Sequence, residues 1–171
     1  MSDEIAEKYY LNSEGSRIHS LIPRISFMYF ITISKNNKSI QKYLPHGACS
    51  GYEALRKWNF EKKIPEQVLI LEKNLVNGIK SKKEKTNLII GSEVTGIAVH
   101  ESVGHPYEAD RILGREAAQA GESFININMI NSKIASDIVN VAEDPTMENS
   151  YGYYLYDDEG VKARKKYLIK K

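Results

Sequence analysis

Residues 24–33 have the sequence Arg-Ile-Ser-Phe-Met-Tyr-Phe-Ile-Thr-Ile, which is rich in β-branched and aromatic side chains. Such side chains favour a pleated, half-buried strand. Alternate positions place five large apolar residues on one face: Ile25, Phe27, Tyr29, Ile31 and Ile33. The other face carries Met28 and Phe30, so we expect it to be partly covered as well. The stretch therefore predicts a strand packed on a core.

The segments on either side of this strand predict its partners. Lys35-Asn36-Asn37-Lys38 supplies turn residues that tolerate positive φ, and residues 39–44 return as the second strand of a β-hairpin. Residues 8–11 predict an earlier strand, which reaches the same sheet through the turn Asn12-Ser13-Glu14-Gly15.

An amphipathic helix is predicted over residues 65–79, because Pro65 suits a first helical turn and an apolar stripe follows it. The stripe has one polar exception and consists of Val68, Leu69, Glu72, Leu75, Val76 and Ile79. The charged segment 80–85 has no apolar anchor and marks the predicted boundary between two units. Residues 1–85 form the hairpin-and-helix unit, and residues 86–171 form the second unit.

The second unit is predicted to begin with a short buried strand at 87–90 and a helix capped by Thr95. Residues 108–120 contain helix formers interrupted by Gly114. Three further strands are predicted at 138–142, 153–156 and 165–169, with Asp157-Asp158-Glu159-Gly160 as the turn between the last two. The predicted fold class is α+β with mainly antiparallel sheets.

Composition excludes some classes of protein. The 171 residues can bury a core, and 24 basic against 22 acidic residues create no general attraction to nucleic acid or membranes. No apolar run approaches the roughly 18 residues of a spanning helix. The acidic N-terminus and the single cysteine, Cys49, lead us to expect a cytoplasmic protein without a membrane partner or an intramolecular disulfide.

The chemistry of the chain concentrates in His100-Glu101-Ser102-Val103-Gly104-His105. Imidazole is a favoured zinc ligand, and a carboxylate beside the first ligand is where a hydrolase keeps the base that deprotonates a metal-bound water. With this HExxxH spacing, a regular α-helix would leave the two histidines about 140° apart. A widened π-type turn or a helix end would bring the rings together.

Two neighbouring residues supply a reason for such a distortion. Gly104 loosens the backbone, and Pro106 removes an N–H donor and disfavours α geometry at His105. Glu108 and Asp110 either support the site by hydrogen bonding to a ligand or are ordinary surface acids. The alternative interpretation of the whole motif is a helix that carries two surface histidines.

Residues 100–110 resemble the metalloprotease signature of the TldD/PmbA family, formerly described as modulators of DNA gyrase. The resemblance includes the glycine before the second histidine and the Glu-x-Asp after it. Other elements of the family are resembled in the same order, at residues 11–15, 51–53, 144–147 and 157–160. The resemblance begins near residue 8 and covers nearly the whole chain.

The resemblance implies a zinc metalloprotease in which His100 and His105 bind the metal and Glu101 is the base. Iron or nickel would also suit imidazole ligands. The family's third ligand is a cysteine in its C-terminal portion, which no residue here matches, and Cys49 lies in a loop of the other predicted unit. Since family members are more than twice this length, we expect a central piece without the N-terminal and C-terminal portions.

Three functions are consistent with these observations. The first, which we favour, is a zinc-dependent metallopeptidase that hydrolyses unfolded peptides and forms a homo- or hetero-dimer with a related chain, as the resemblance implies. The second is a non-catalytic fragment or partner subunit of a TldD/PmbA-type complex. The third is a nucleic-acid or gyrase-associated binding module, motivated only by the former family description and the lysine runs.

Overall fold

The first scaffold of the chain is a three-stranded antiparallel sheet in the order β1-β2-β3, seen in a computed structural model that describes residues 1–116 and 123–171. The strands are β1 (Ser2–Leu11), β2 (Arg17–Lys35) and β3 (Lys38–Ala48). The first half of β2 pairs with β1 and its second half with β3. All three predicted strands are confirmed, and each is longer than predicted.

Asparagine side chains and backbones determine both turns of this sheet. Asn36 and Asn37 have φ values of 51° and 60°, the backbone of a two-residue turn that matches the twist of a hairpin. In the earlier turn, Asn12 Oδ1 accepts hydrogen bonds from the backbone N–H groups of Glu14 at 3.1 Å and Ser16 at 2.9 Å. Both predicted turns are therefore confirmed.

One face of β2 packs on two helices, α1 (Glu53–Trp58) and α2 (Phe60–Asn77). Ile25 clusters with residues of α1, and Ile31 clusters with residues of α2. The predicted core face is confirmed. The opposite face is covered only in part, as expected: Arg24 Nε donates to the carbonyl of Tyr151 at 3.1 Å, while Met28 and Phe30 are 55% and 60% exposed because both helices lie on the other side of the sheet.

Helix α2 differs from its prediction in the residue at which it begins and in the residues that form its apolar stripe. It begins at Phe60, one residue after a left-handed Asn59, and Pro65 lies inside it. The residues packed on the sheet follow helical spacing through Ile64, Val68 and Leu71. Leu69, Val76 and Ile79 of the predicted stripe are exposed.

The chain divides into two units, one formed by residues 1–83 and 145–164 and the other by residues 84–144 and 165–171. Residues 145–164, which the sequence predicts in the second unit, pack with the first. Lys8 Nζ donates to the carbonyl oxygens of Tyr156 at 3.2 Å and Asp157 at 3.0 Å. The strand predicted at 153–156 is wrong, because only an isolated bridge between Tyr156 and Lys162 forms there.

The second unit contains α3 (Ser92–Val99), the short helix α4 (Ala109–Ile112) and an antiparallel pair, β4 (Val141–Glu143) and β5 (Lys166–Ile169). Strand β5 confirms the prediction for 165–169, whereas the strand predicted at 138–142 begins three residues later, at Val141. Of the predicted helical stretch, residues 117–120 lie outside the described residues.

Two predictions at the start of this unit are wrong. Residues 87–90 form no strand, and their apolar side chains are half to fully exposed because no described segment pairs with them. Helix α3 begins at Ser92 after Gly91, so Thr95 lies within the helix and does not cap it. Among the described residues, no helix is both long and apolar enough to cross a bilayer.

Candidate metal site

Helix α3 continues directly into a π-type turn formed by residues His100–Gly104. The backbone N–H of His105 donates to the carbonyl of His100, five residues earlier. This widened turn brings the two histidine rings to a centroid distance of 4.4 Å at an angle of 77°. The predicted π-type distortion is therefore confirmed, and it compensates for the extra residue in the motif.

The cause of the distortion is partly different from the one predicted. Pro106 has no N–H to donate to the carbonyl of Ser102. His105 nevertheless keeps α-helical dihedrals, with φ −59° and ψ −44°, so the expectation that Pro106 displaces it from α geometry is wrong. A Cβ atom built on Gly104 would lie 3.9 Å from His100 Nδ1, which is an ordinary contact. The space around this position therefore does not require glycine.

The turn gathers three side chains that could hold a metal ion. His100, Glu101 and His105 each offer one ligand atom, and these atoms lie within 4.8 Å of one another. Two nitrogens bound to one tetrahedral zinc are roughly 3.4 Å apart, so the three ligand atoms lie near the spacing that a shared ion requires. Two imidazoles and a carboxylate form a donor set that suits zinc and other divalent transition metals, so these residues fit such an ion.

Glu108 lies beside the second histidine. Its Oε1 is 2.7 Å from His105 Nδ1, and its Oε2 accepts a hydrogen bond of 2.6 Å from Arg111 Nε. The bond with His105, followed by the bond with Arg111, lowers the pKa of the Glu108 carboxyl. A neutral His105 that donates Nδ1–H to this carboxylate keeps its Nε2 lone pair available for a ligand bond.

Asp110 faces a different partner. Its Oδ1 accepts a hydrogen bond of 2.8 Å from the backbone N–H of Arg111. Its carbonyl accepts from the N–H of Arg115 at 2.7 Å. These bonds give Asp110 a role in the backbone of the turn, whereas Glu108 occupies the position from which a carboxylate can orient a ligand.

Comparison with known proteins identifies the chain's family. Residues 83–171, which contain the whole cluster, match the family described as PmbA/TldA metallopeptidase C-terminal domain. The chain belongs to the TldD/PmbA family of metallopeptidases. No solved structure matches the chain.

Curated relatives in the TldD/PmbA family extend the match to the first unit. The chain is 32% identical to Metalloprotease MJ0996 of Methanocaldococcus jannaschii and 27% identical to the Zinc metalloprotease TldD homolog of Saccharolobus solfataricus. Each alignment covers 98% of this chain and 35% of the relative, so the chain spans about a third of their length. A Metalloprotease TldD homolog of Buchnera aphidicola is 34% identical over 82 residues, which are 48% of this chain and 16% of that relative.

The cluster also has neighbours that the sequence does not predict. A cavity of about 450 Å³ adjoins the histidines and is lined in part by Tyr107 and by Glu143 of β4. The spacing of Arg111, three residues after Glu108 in a helical segment, could have suggested their pairing. No local signal could have found Glu143, because the fold brings it to the site from some 40 residues downstream.

Cys49 is a free, half-buried thiol just after β3, in the first unit. It is not part of the cluster formed by His100, Glu101 and His105.

Proposed function

We propose that this chain supplies the zinc-binding helix of a TldD-type metallopeptidase. The observation that supports the proposal most directly is the π-type turn, which brings His100 and His105 face to edge beside Glu101. Two histidines displayed only as surface groups do not need a widened turn. The family membership and the names of the relatives support the same reaction class.

Each residue of the cluster has a distinct role in the proposed reaction. His100 and His105 hold the zinc, and Glu108 orients His105. When bound, zinc supplies the Lewis-acid chemistry that activates a water and polarises a peptide carbonyl. Glu101 is exposed and adjacent to the ligands, so its carboxylate can take the proton from the attacking water and pass it to the leaving amine.

The proposed substrates are unfolded peptides. A cavity of about 450 Å³ has room for a short stretch of peptide, while the backbone of a folded domain is held in its own hydrogen bonds and cannot enter it. We also propose that the active protein pairs with a related chain and that the third zinc ligand comes from outside these 171 residues, since the cluster contains no thiol.

A second candidate function follows from that same ligand set. With two imidazoles, one carboxylate and no third strong ligand in the described cluster, the chain could be a non-catalytic partner subunit that retains the fold.

Zinc analysis of the purified chain tests the first proposal. With zinc added in excess, the wild-type protein should bind one equivalent through the residues of the cluster, and His100→Ala and His105→Ala should each lose it. His19→Ala is the matched control, because His19 is an exposed histidine of the first unit that stacks on Tyr9. A well-folded wild-type protein that binds no zinc even when the metal is in excess would contradict the proposal.

Hydrolysis of an unfolded peptide separates the two functions. In a metallopeptidase, Glu101→Gln should retain zinc and lose hydrolysis by about 100-fold or more, because the general base is gone. Retained zinc with no hydrolysis by either protein would favour the partner subunit.

A further inference from the structure

We propose that Arg111 is a positioning residue that fixes His105 for metal binding by holding the carboxylate of Glu108. The proposal rests on the proposed function for its biological meaning. Its geometry and its principal test concern the metal-free chain alone.

The backbone around Glu108 places its side chain between the two partners. Residues His105–Tyr107 form a short 3-10 turn, Glu108 follows with an extended backbone of φ −63° and ψ 130°, and α4 begins at the next residue. Glu108 is therefore three residues after His105 and three residues before Arg111. Each of its carboxylate oxygens has a separate partner, at 2.7 Å and 2.6 Å.

Glu108 needs the second partner in order to stay in place. Its side chain is 40% exposed, and a carboxylate held only by His105 could exchange that bond for water by rotating about its side-chain torsions. The Arg111 side chain is only 15% exposed, so its guanidinium is already confined by packing. A confined, charged donor makes a short hydrogen bond that resists such rotation.

The orientation of Glu108 determines which nitrogen of His105 can bind a metal. An acceptor fixed beside Nδ1 stabilises the tautomer with the proton on Nδ1, which leaves Nε2 unprotonated. If Glu108 rotates away, the ring can adopt the other tautomer and a different orientation. Loss of such an outer hydrogen bond typically lowers metal affinity by about 10–100-fold.

Three variants separate the hydrogen bond from charge and packing. Arg111→Met removes the donor and the charge and keeps a long side chain. Arg111→Gln removes the charge but keeps an amide nitrogen at the same number of bonds from Cα as the arginine Nε. Lys133→Met is the control, because it removes a cation of the same unit that is paired with Asp137 at 2.7 Å.

The principal measurement is NMR of the His105 ring nitrogens, whose nitrogen-15 chemical shifts report the tautomer. It is made on metal-free protein at about pH 8, above the ordinary pKa of histidine. Wild-type, Arg111→Gln and Lys133→Met should show the Nδ1–H tautomer, and Arg111→Met should show a mixture. A second measurement is the zinc affinity of each protein, determined by competition with a chromophoric chelator. The affinity of Arg111→Met should be about tenfold lower than that of the wild-type protein.

Two results would overturn the proposal. One is an Arg111→Met protein with the wild-type His105 tautomer and the wild-type zinc affinity. The other is an Arg111→Gln protein whose His105 tautomer mixture and zinc affinity match those of Arg111→Met. If the wild-type chain binds no zinc, the proposed function fails while the tautomer ratio still decides the role of Arg111.

Discussion

The carboxylate of Glu53 closes the turn that connects β3 to α1. Its Oε1 accepts a hydrogen bond of 2.7 Å from the Ser50 hydroxyl and one of 2.9 Å from the backbone N–H of Gly51. These bonds, with that of Ser50 the most important, lower the pKa of Glu53 to about 2 from an ordinary value of 4.5. Because the folded state favours the ionised carboxylate, this contribution to stability is complete above the unfolded pKa and is lost as the pH falls towards 2.

We therefore expect Glu53→Gln to reduce the free energy of unfolding at neutral pH and to flatten its decrease between pH 4.5 and about 2. Urea unfolding across this range measures the effect. Glu66→Gln is the control, since Glu66 only approaches Lys62 at 4.0 Å on the surface of α2. Equal pH slopes for the two variants would contradict the role assigned to Glu53.

The site residues differ in how far sequence could identify them. His100, Glu101 and His105 lie within six consecutive residues, so their chemistry and their need for a π-type turn could be predicted together. Whether Glu108 or Asp110 supports the ligand depends on side-chain directions, which an extended backbone at Glu108 determines. Spacing alone does not contain that information.

At the scale of elements, helix α2 is positioned by a narrow apolar stripe. Leu71 is 4% exposed against β2 and β3, while Leu69 on the other side of the helix is 64% exposed. We expect Leu71→Ala to reduce the free energy of unfolding by about 2–5 kcal/mol, because it removes buried methyl groups and leaves a cavity.

Leu69→Ala is the matched control and should change stability by less than about 0.5 kcal/mol. Urea denaturation of the two variants provides the comparison. If Leu69→Ala were the more damaging, the stripe predicted from sequence would be right and the observed packing wrong.

The elements also show why some predictions succeeded. The β2 hairpin was predictable because alternation, two asparagines and a returning apolar run agree. The start of α2 was misplaced because proline is favoured at a first helical turn, and the chain instead begins the helix after a left-handed Asn59. Residues 87–90 have the composition of a strand, but a strand requires a partner that local sequence cannot supply.

At the scale of the whole molecule, residues 145–164 are held to the first unit by close backbone contacts. Gly160 has a φ of +76°, and a Cβ atom at this position would collide with the ring of Tyr10. Gly160→Ala should therefore destabilise the protein by about 2 kcal/mol, from backbone strain and from crowding of the ring.

Gly152→Ala is the control for this change, because nothing lies within 4 Å of its added Cβ and its φ is not in the left-handed region. Thermal unfolding should show a lower midpoint for Gly160→Ala than for Gly152→Ala. Similar midpoints would mean that this segment can move away from Tyr10 at little cost.

The path of the chain between its two units has a kinetic consequence. The hydrogen bonds from Lys8 to residues 156 and 157 join positions separated by about 150 residues. Residues 84–144, including the entire metal cluster, are the intervening loop that must be closed before these bonds form. On the ribosome, the first sheet can therefore form early, but residues 145–164 dock on it only after residues 84–144 have left the exit tunnel, and β5 of the second unit leaves later still. The turn at residues 100–105 is local in sequence, so we expect it to be free to form before either unit is complete.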